Sequence, residues 1–312
     1  MNPGSRLLRR LLFALGLTAA LAVGAPPATT AALAAGAAPA SGGATPGPAG
    51  APENDPALTA AVDAYLAPLV NDDLISGTVL IARDGRVLVA RGYGPANREH
   101  GAPCTPETKF RLGSLTKQFT AAAVLVLEQQ GKLATDDPLA KYYPDFPRAG
   151  EIKLHHLLSH TSGIPNYNNL PDYGEKYLQP LSVDQVIAWF QPTALEFTPG
   201  EKFAYSNSNY VLLAGIIEKA SGQPYTEFLR QSLFEPLGMR DTGQDSSEKV
   251  LPHRAAGHVS FGEEVFHASY RDMPFMSGAG SLYSTARDLL AWDQALYGER
   301  VLTAASKEKM FT

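Results

Sequence analysis

The sequence predicts an α/β chain of the α+β kind, an antiparallel hairpin followed by a long run of helices. Three observations carry that reading. Two runs rich in β-formers, Gly77–Arg83 and Arg86–Tyr93, flank an Asp84-Gly85 pair, the strongest short-range hairpin signal. An apolar stretch from Phe119 to Leu127 is closed by Gly131, as a buried helix would be. Helical segments then dominate, and no later run reads as a hairpin so clearly.

Taken in order, residues 1–34 read as an export signal. Arg6, Arg9 and Arg10 precede an uncharged stretch, Leu11 to Ala25, too short for a comfortable membrane span, and Ala32-Leu33-Ala34 offers a small-residue cleavage site. The mature chain is expected to begin within residues 26–41 and to be secreted or periplasmic, with no stable membrane insertion; an uncleaved anchor is the alternative. Residues 35–53, almost wholly Ala, Gly, Pro and Ser up to residue 52, read as a linker unable to bury enough apolar surface to order itself. The folded domain is expected over residues 54–312. Within it the first helix runs from Pro56 to Val70, ahead of the hairpin. Further helices follow at Leu154–Leu158, at Ser182–Phe190 behind a Ser182/Gln185 capping box, and at Asn209–Ala220, stopped by Gly222. The last two cover Tyr225–Phe234 and Thr285–Tyr297. Two strands are not a stable sheet by themselves, so the hairpin needs strands that the sequence does not plainly supply.

Composition narrows the function. The chain has 312 residues, 45% hydrophobic and 18% charged, as an ordinary globular protein does. The net charge is −5 although the first fifty residues carry three arginines and no acid, so the remainder is more acidic still and nucleic acid is an improbable partner. Cys104 stands alone, which excludes an internal disulfide and reads as a small buried hydrophobe. His155, His156 and His160 form no H-E-x-x-H or other spaced ligand set, so neither metal nor cofactor is expected.

The informative residues are Ser114-Leu115-Thr116-Lys117 and, well downstream, Tyr205-Ser206-Asn207. A spacing of three puts the serine hydroxyl and the lysine amine on one helix face. A lysine pressed against a mostly apolar helix can lose its charge and act as base toward a hydroxyl that is otherwise a poor nucleophile. This is serine acyl-transfer chemistry of the Ser-Lys kind. Neither triplet is specific alone, since Ser306-Lys307-Glu308-Lys309 and Tyr167-Asn168-Asn169 have the same form. Context separates them: Ser114 opens the apolar helix and Tyr205 precedes another, whereas Ser306 sits in a short charged stretch and Tyr167 in a polar segment that reads as a surface loop.

With both motifs so placed, the chain resembles the serine β-lactamase and penicillin-binding protein family, in the branch of class C β-lactamases, D-alanyl-D-alanine carboxypeptidases and related esterases. The stretches Leu157-Leu158-Ser159-His160-Thr161-Ser162-Gly163, Phe234-Glu235-Pro236-Leu237-Gly238-Met239 and Gly280-Ser281-Leu282-Tyr283-Ser284-Thr285 agree, and the resemblance covers roughly residues 55–312. It implies a β-lactamase/transpeptidase-like fold, an antiparallel sheet flanked by helices plus a helical subdomain. It also implies that Ser114 is acylated, that Lys117 handles its proton, that Tyr205 is a second proton relay and that Asn207 holds Lys117 and the substrate amide. The substrate would be a small molecule or peptide, a carboxypeptidase or esterase substrate ahead of a β-lactam. Such proteins continue into further strands carrying a Lys-Thr-Gly or His-x-Gly motif, which nothing after Thr285 matches, so the C-terminal strands are expected to be absent. A non-catalytic fragment or pseudoenzyme that binds wall peptides or a protein partner is the alternative. The His160–Gly163 turn is expected to shape the helical part without chemistry, and Gly278, Gly280 and Ser281 to form a tight loop near the cleft. Tyr167 and Tyr173 are expected to line the substrate entrance.

Overall fold

The computed structural model describes residues 55–262 and 264–312. The expected export signal and linker lie outside the described residues. Helix α1 (Pro56–Asn71) starts where Asp55 accepts the Leu58 N–H at 2.9 Å, with Pro56 at the first helical position. Strands β1 (Gly77–Arg83) and β2 (Arg86–Tyr93) pair antiparallel with a register shift at Ile81/Ala82. Asp84 and Gly85 both adopt positive φ, 52° and 76°, as a two-residue turn matched to strand twist demands. Asp63 of α1 ties helix to hairpin by taking the Tyr93 hydroxyl and the Arg91 guanidinium, each at 2.8 Å.

Short strands β3 (Pro95–Asn97), β4 (Ala102–Pro103) and β5 (Phe110–Arg111) lead into α2 (Thr116–Gln129). Then come α3 (Leu154–Leu158), α4 (Tyr173–Lys176), α5 (Val183–Phe190), α6 (Asn207–Ser221), α7 (Tyr225–Leu229) and α8 (Glu235–Leu237). Strands β6 (Gly243–Gln244), β7 (His258–Phe261), β8 (Glu264–His267) and β9 (Leu282–Ser284) precede α9 (Ala286–Tyr297) and α10 (Ala304–Phe311). Among the described residues the named strands pair antiparallel: β1 with β2, β3 with β4, β7 with β8, and β9 between β5 and β6.

Helices α2 and α6 form the centre. From Thr116 to Leu127 nearly every residue of α2 is buried, and so is α6 from Ser208 to Ile217. Such helices are apolar around most of their circumference because other elements cover them on several sides: α6 packs against α2, α3, α5 and α7. Phe119 on α2 meets the rings of Phe234 and Trp292, with centroids 5.6 and 4.7 Å away. Cys104 is buried and its thiol is pushed up by that burial, as a small core hydrophobe should be.

The structure departs from the sequence-based expectation in its short strands, in α10 and at Tyr167. The β3–β4 pair, the β7–β8 hairpin and the β5–β9–β6 sheet have no counterpart in the sequence reading; strands of two to four residues are too short for alternation to register. The charged stretch around Ser306 is helix α10: Thr303 caps it and Lys309 pairs with Glu128 of α2 at 2.9 Å, so the second Ser-x-x-Lys has its lysine engaged elsewhere. Ser306 is buried on that helix and bonded to Thr303. Tyr167 is no surface residue: at 1% exposure it centres an aromatic cluster with Tyr173, Trp189, Phe190 and Phe275.

The segment before β9 is pressed onto α6. Gly278 has φ +77°, and a Cβ there would lie 2.1 Å from the Tyr210 carbonyl oxygen. Gly278→Ala is therefore expected to cost more than about 2 kcal/mol, from strained backbone and a contact that cannot relax. Gly101→Ala, also at positive φ but with open space around it, should cost only about 1 kcal/mol; paired urea denaturation curves check both.

Candidate active site

Ser114 lies in a 3-10 turn, Gly113–Leu115, that runs directly into α2, so the expected single helical turn from Ser114 to Lys117 is part 3-10 and part α. Gly113 has φ +54°. The Leu112 N–H bonds to the Leu282 carbonyl and the Leu282 N–H to Thr116 Oγ1, at 2.8 and 3.2 Å, which seats the turn on β9. Ser114 ends exposed and Lys117 buried at 8% exposure.

All four residues expected at the site come together. Ser114 Oγ lies 2.7 Å from the Tyr205 hydroxyl and 3.3 Å from Lys117 Nζ. Lys117 Nζ also donates to Asn207 Oδ1 and to the Ala279 carbonyl, both at 2.8 Å. It sits 4.9 Å from the centre of the Tyr205 ring and 5.4 Å from that of Tyr210. Desolvation dominates: burial brings the Lys117 amine down to about 7.

Three contributors were not expected. The first is the Ala279 carbonyl. The tight loop expected near the cleft is there, but its part is played by backbone: Gly278 O accepts from Thr120 Oγ1 and Ala279 O from Lys117, both at 2.8 Å. The second is Asn168, in the polar segment that reads as a surface loop. Its Oδ1 accepts from Asn207 Nδ2 at 2.7 Å, while Asn166 Oδ1 accepts the Asn207 N–H at 3.2 Å and caps α6 from outside the helix. Ser208 locks the same loop, donating to the Pro165 carbonyl at 2.6 Å and accepting the Tyr167 N–H at 3.0 Å.

The third is His160, which brackets Tyr205. Its carbonyl accepts the Ala204 N–H at 2.9 Å and its Nδ1 the Ser206 N–H at 3.2 Å. Its ring centroid is 4.5 Å from that of Tyr205. Burial, then the Lys117 charge, pushes the imidazole down to about 4, so it is neutral near pH 7 and Nδ1 stays free to accept. His160 also holds φ +57°, a conformation uncommon outside glycine, though Asn, Asp and His adopt it more often than other residues. The shaping role expected of the His160–Gly163 turn thus bears on the tyrosine itself. His155 and His156 face each other instead, and His155 Nδ1 lies 3.2 Å from Asp136.

The cleft over Ser114 has a volume of about 320 Å³, and Tyr167, Asn168, Tyr173 and Asn207 contribute to its wall. Both tyrosines expected at the entrance therefore reach it, Tyr167 from a buried position. Chemically, the arrangement offers a hydroxyl in contact with two groups able to move its proton, at the first turn of a helix whose leading N–H groups favour negative charge.

The beta-lactamase family model matches residues 58–312. The chain is 36% identical over 237 residues to the putative penicillin-binding protein PbpX of Bacillus subtilis (strain 168), an alignment covering 76% of this chain and 59% of that protein. It is also 36% identical over 208 residues to esterase EstB of Burkholderia gladioli, covering 61% and 53%. Among solved structures, D-amino acid amidase from Ochrobactrum anthropi SV3 in complex with L-phenylalanine amide superimposes with a TM-score of 0.72 at 26% identity, over 80% of this chain and 73% of that one. The chain spans between half and three fifths of the length of these two curated relatives. No helix of the described residues is long and apolar enough to cross a membrane. On the match of residues 58–312, with the fold and the Ser114 geometry in agreement, the chain belongs to the beta-lactamase family, a serine-hydrolase-like family.

Proposed function

We propose that the protein is an exported serine hydrolase that passes the acyl group of a small ester, amide or peptide to Ser114 and then to water. The observation that carries this reading is the convergence of Lys117 Nζ and the Tyr205 hydroxyl on one oxygen, Ser114 Oγ, at 3.3 and 2.7 Å. Protonated Lys117 would spend its three N–H donors on Ser114, Asn207 and Ala279. Neutral Lys117 keeps the two 2.8 Å bonds, to Asn207 and Ala279, and turns its lone pair to the longest contact, Ser114 Oγ. The amine, brought to about 7 by burial, is then poised to take the serine proton as Oγ attacks the carbonyl.

The developing oxyanion is favoured by the Ser114 N–H at the leading end of its turn. Tyr205, in contact with the same Oγ, hands a proton to the departing alcohol or amine; in the second half of the reaction it draws one from the incoming water, and Lys117 returns its proton to Ser114 Oγ as the acyl bond breaks. Asn207 holds Lys117 through Oδ1 and presents an amide edge to the cleft. The names of the relatives, a penicillin-binding protein, an esterase and a D-amino acid amidase, support an amide, peptide or ester substrate, and the export signal read from residues 1–34 supports a site outside the cytoplasm.

Incubation with a penicillin and with an activated ester, followed by intact mass and peptide mapping, tests the assignment. A stoichiometric adduct on the peptide containing Ser114, lost in Ser114→Ala, is the expected outcome; a folded chain that forms none would favour a protein that binds without turnover. The acylation rate is further expected to rise about tenfold per pH unit up to pH ~7 and then level off, because only deprotonated Lys117 accepts the serine proton. Stopped-flow acylation across pH 5–9 reads this directly, and a flat profile would remove Lys117 as the base.

A further inference from the structure

We propose that Arg271 makes the Ser114 cleft selective for acyl groups that carry a carboxylate, an inference that rests on the hydrolase reading above. Among the described residues two guanidinium groups line the cleft, Arg111 and Arg271, and no acid does. Arg111 is already paired: its Nε donates to Asp245 at 2.5 Å, and the other oxygen of that fully buried carboxylate takes Arg254 at 2.8 Å. Arg271 has no such partner. Among the described residues no carboxylate lies within ion-pair distance of it; its Nη1 donates to the Tyr173 hydroxyl at 3.3 Å, and its guanidinium carbon lies 5.0 Å from the centre of the Tyr177 ring.

These contacts hold the group in place without neutralising it. The next residue anchors the backbone, since the Asp272 N–H bonds to the Tyr177 carbonyl at 2.9 Å. The Asp272 side chain is itself 7% exposed and makes no ion pair with Arg271. A planar fork already leaning on an aromatic ring loses little freedom on meeting a carboxylate, and pairs with it through two parallel hydrogen bonds. Arg271 shares its stretch of wall with Tyr173, Asn168 and Asn207. A cleft of about 320 Å³ has room for a short acyl chain with an anionic end, and Ser114 and Arg271 both line it.

The test uses two esters with one leaving group, 4-nitrophenyl hydrogen glutarate and 4-nitrophenyl valerate, whose acyl chains differ by a terminal carboxylate in place of a methyl. Hydrolysis of each by the full chain releases 4-nitrophenol and the free acid. Glutarate is expected to be preferred in kcat/KM, and Arg271→Met to reduce the glutarate-to-valerate ratio at least tenfold. Arg271→Lys, which keeps the charge but not the fork, should fall between. Thermal melting of each variant separates a lost contact from a lost fold. Turnover of both esters with a ratio unmoved by Arg271→Met would overturn the role of Arg271 alone. A wild-type chain that hydrolyses neither ester would overturn the hydrolase reading and this selectivity with it.

Discussion

Taking a charged amine out of water is costly unless the hydrogen bonds it loses are replaced, and at Lys117 the replacements come from three separate parts of the chain. Ser114 is one turn away on the same helix, Asn207 starts the second buried helix, and Ala279 belongs to the loop before β9. The two closest bonds go to an amide oxygen and a peptide carbonyl, neither of which carries a full negative charge. The amine is therefore satisfied in hydrogen bonds but not compensated in charge, and that difference is what lowers its affinity for a proton. A carboxylate at either place would have held the lysine protonated.

The surroundings keep this balance by restricting movement. Tyr205 sits in a segment whose two flanking amides are both held by His160, one by its carbonyl and one by its ring nitrogen. Asn207 is fixed from the side by Asn166 and Asn168, on a loop that Ser208 clamps through Pro165 and Tyr167. Positioning of this kind, by neighbours whose own hydrogen bonds are already satisfied, is how small reactive distances survive thermal motion.

Legibility in the sequence followed the physics of each part. The first hairpin could be read to its ends because Asp84-Gly85 specifies a turn through local dihedral preference. Ser114, Lys117, Tyr205 and Asn207 could be picked out because side chains of those types at those spacings have few other reasons to occur beside apolar helices. Ala279 could not, because its contribution is a carbonyl oxygen that every residue possesses; only the flanking glycines hinted that the backbone comes close. Asn168 was hidden by composition, since a polar segment reads as solvent-facing until the cluster of rings around Tyr167 is seen to pull it inward. The strands β5, β6 and β9 are specified by long-range pairing and leave almost no local trace.

The bond between Lys117 and Ala279 joins residues 162 positions apart in the chain. Closing so long a loop is entropically expensive, and contacts of this kind form late, after local helices and hairpins. A nascent or partly unfolded chain can therefore possess the Ser114 helix without possessing the geometry that lowers its lysine. On the proposed mechanism, a chain whose Ala279 segment has not yet closed would hold its serine beside a lysine that still lacks its buried setting.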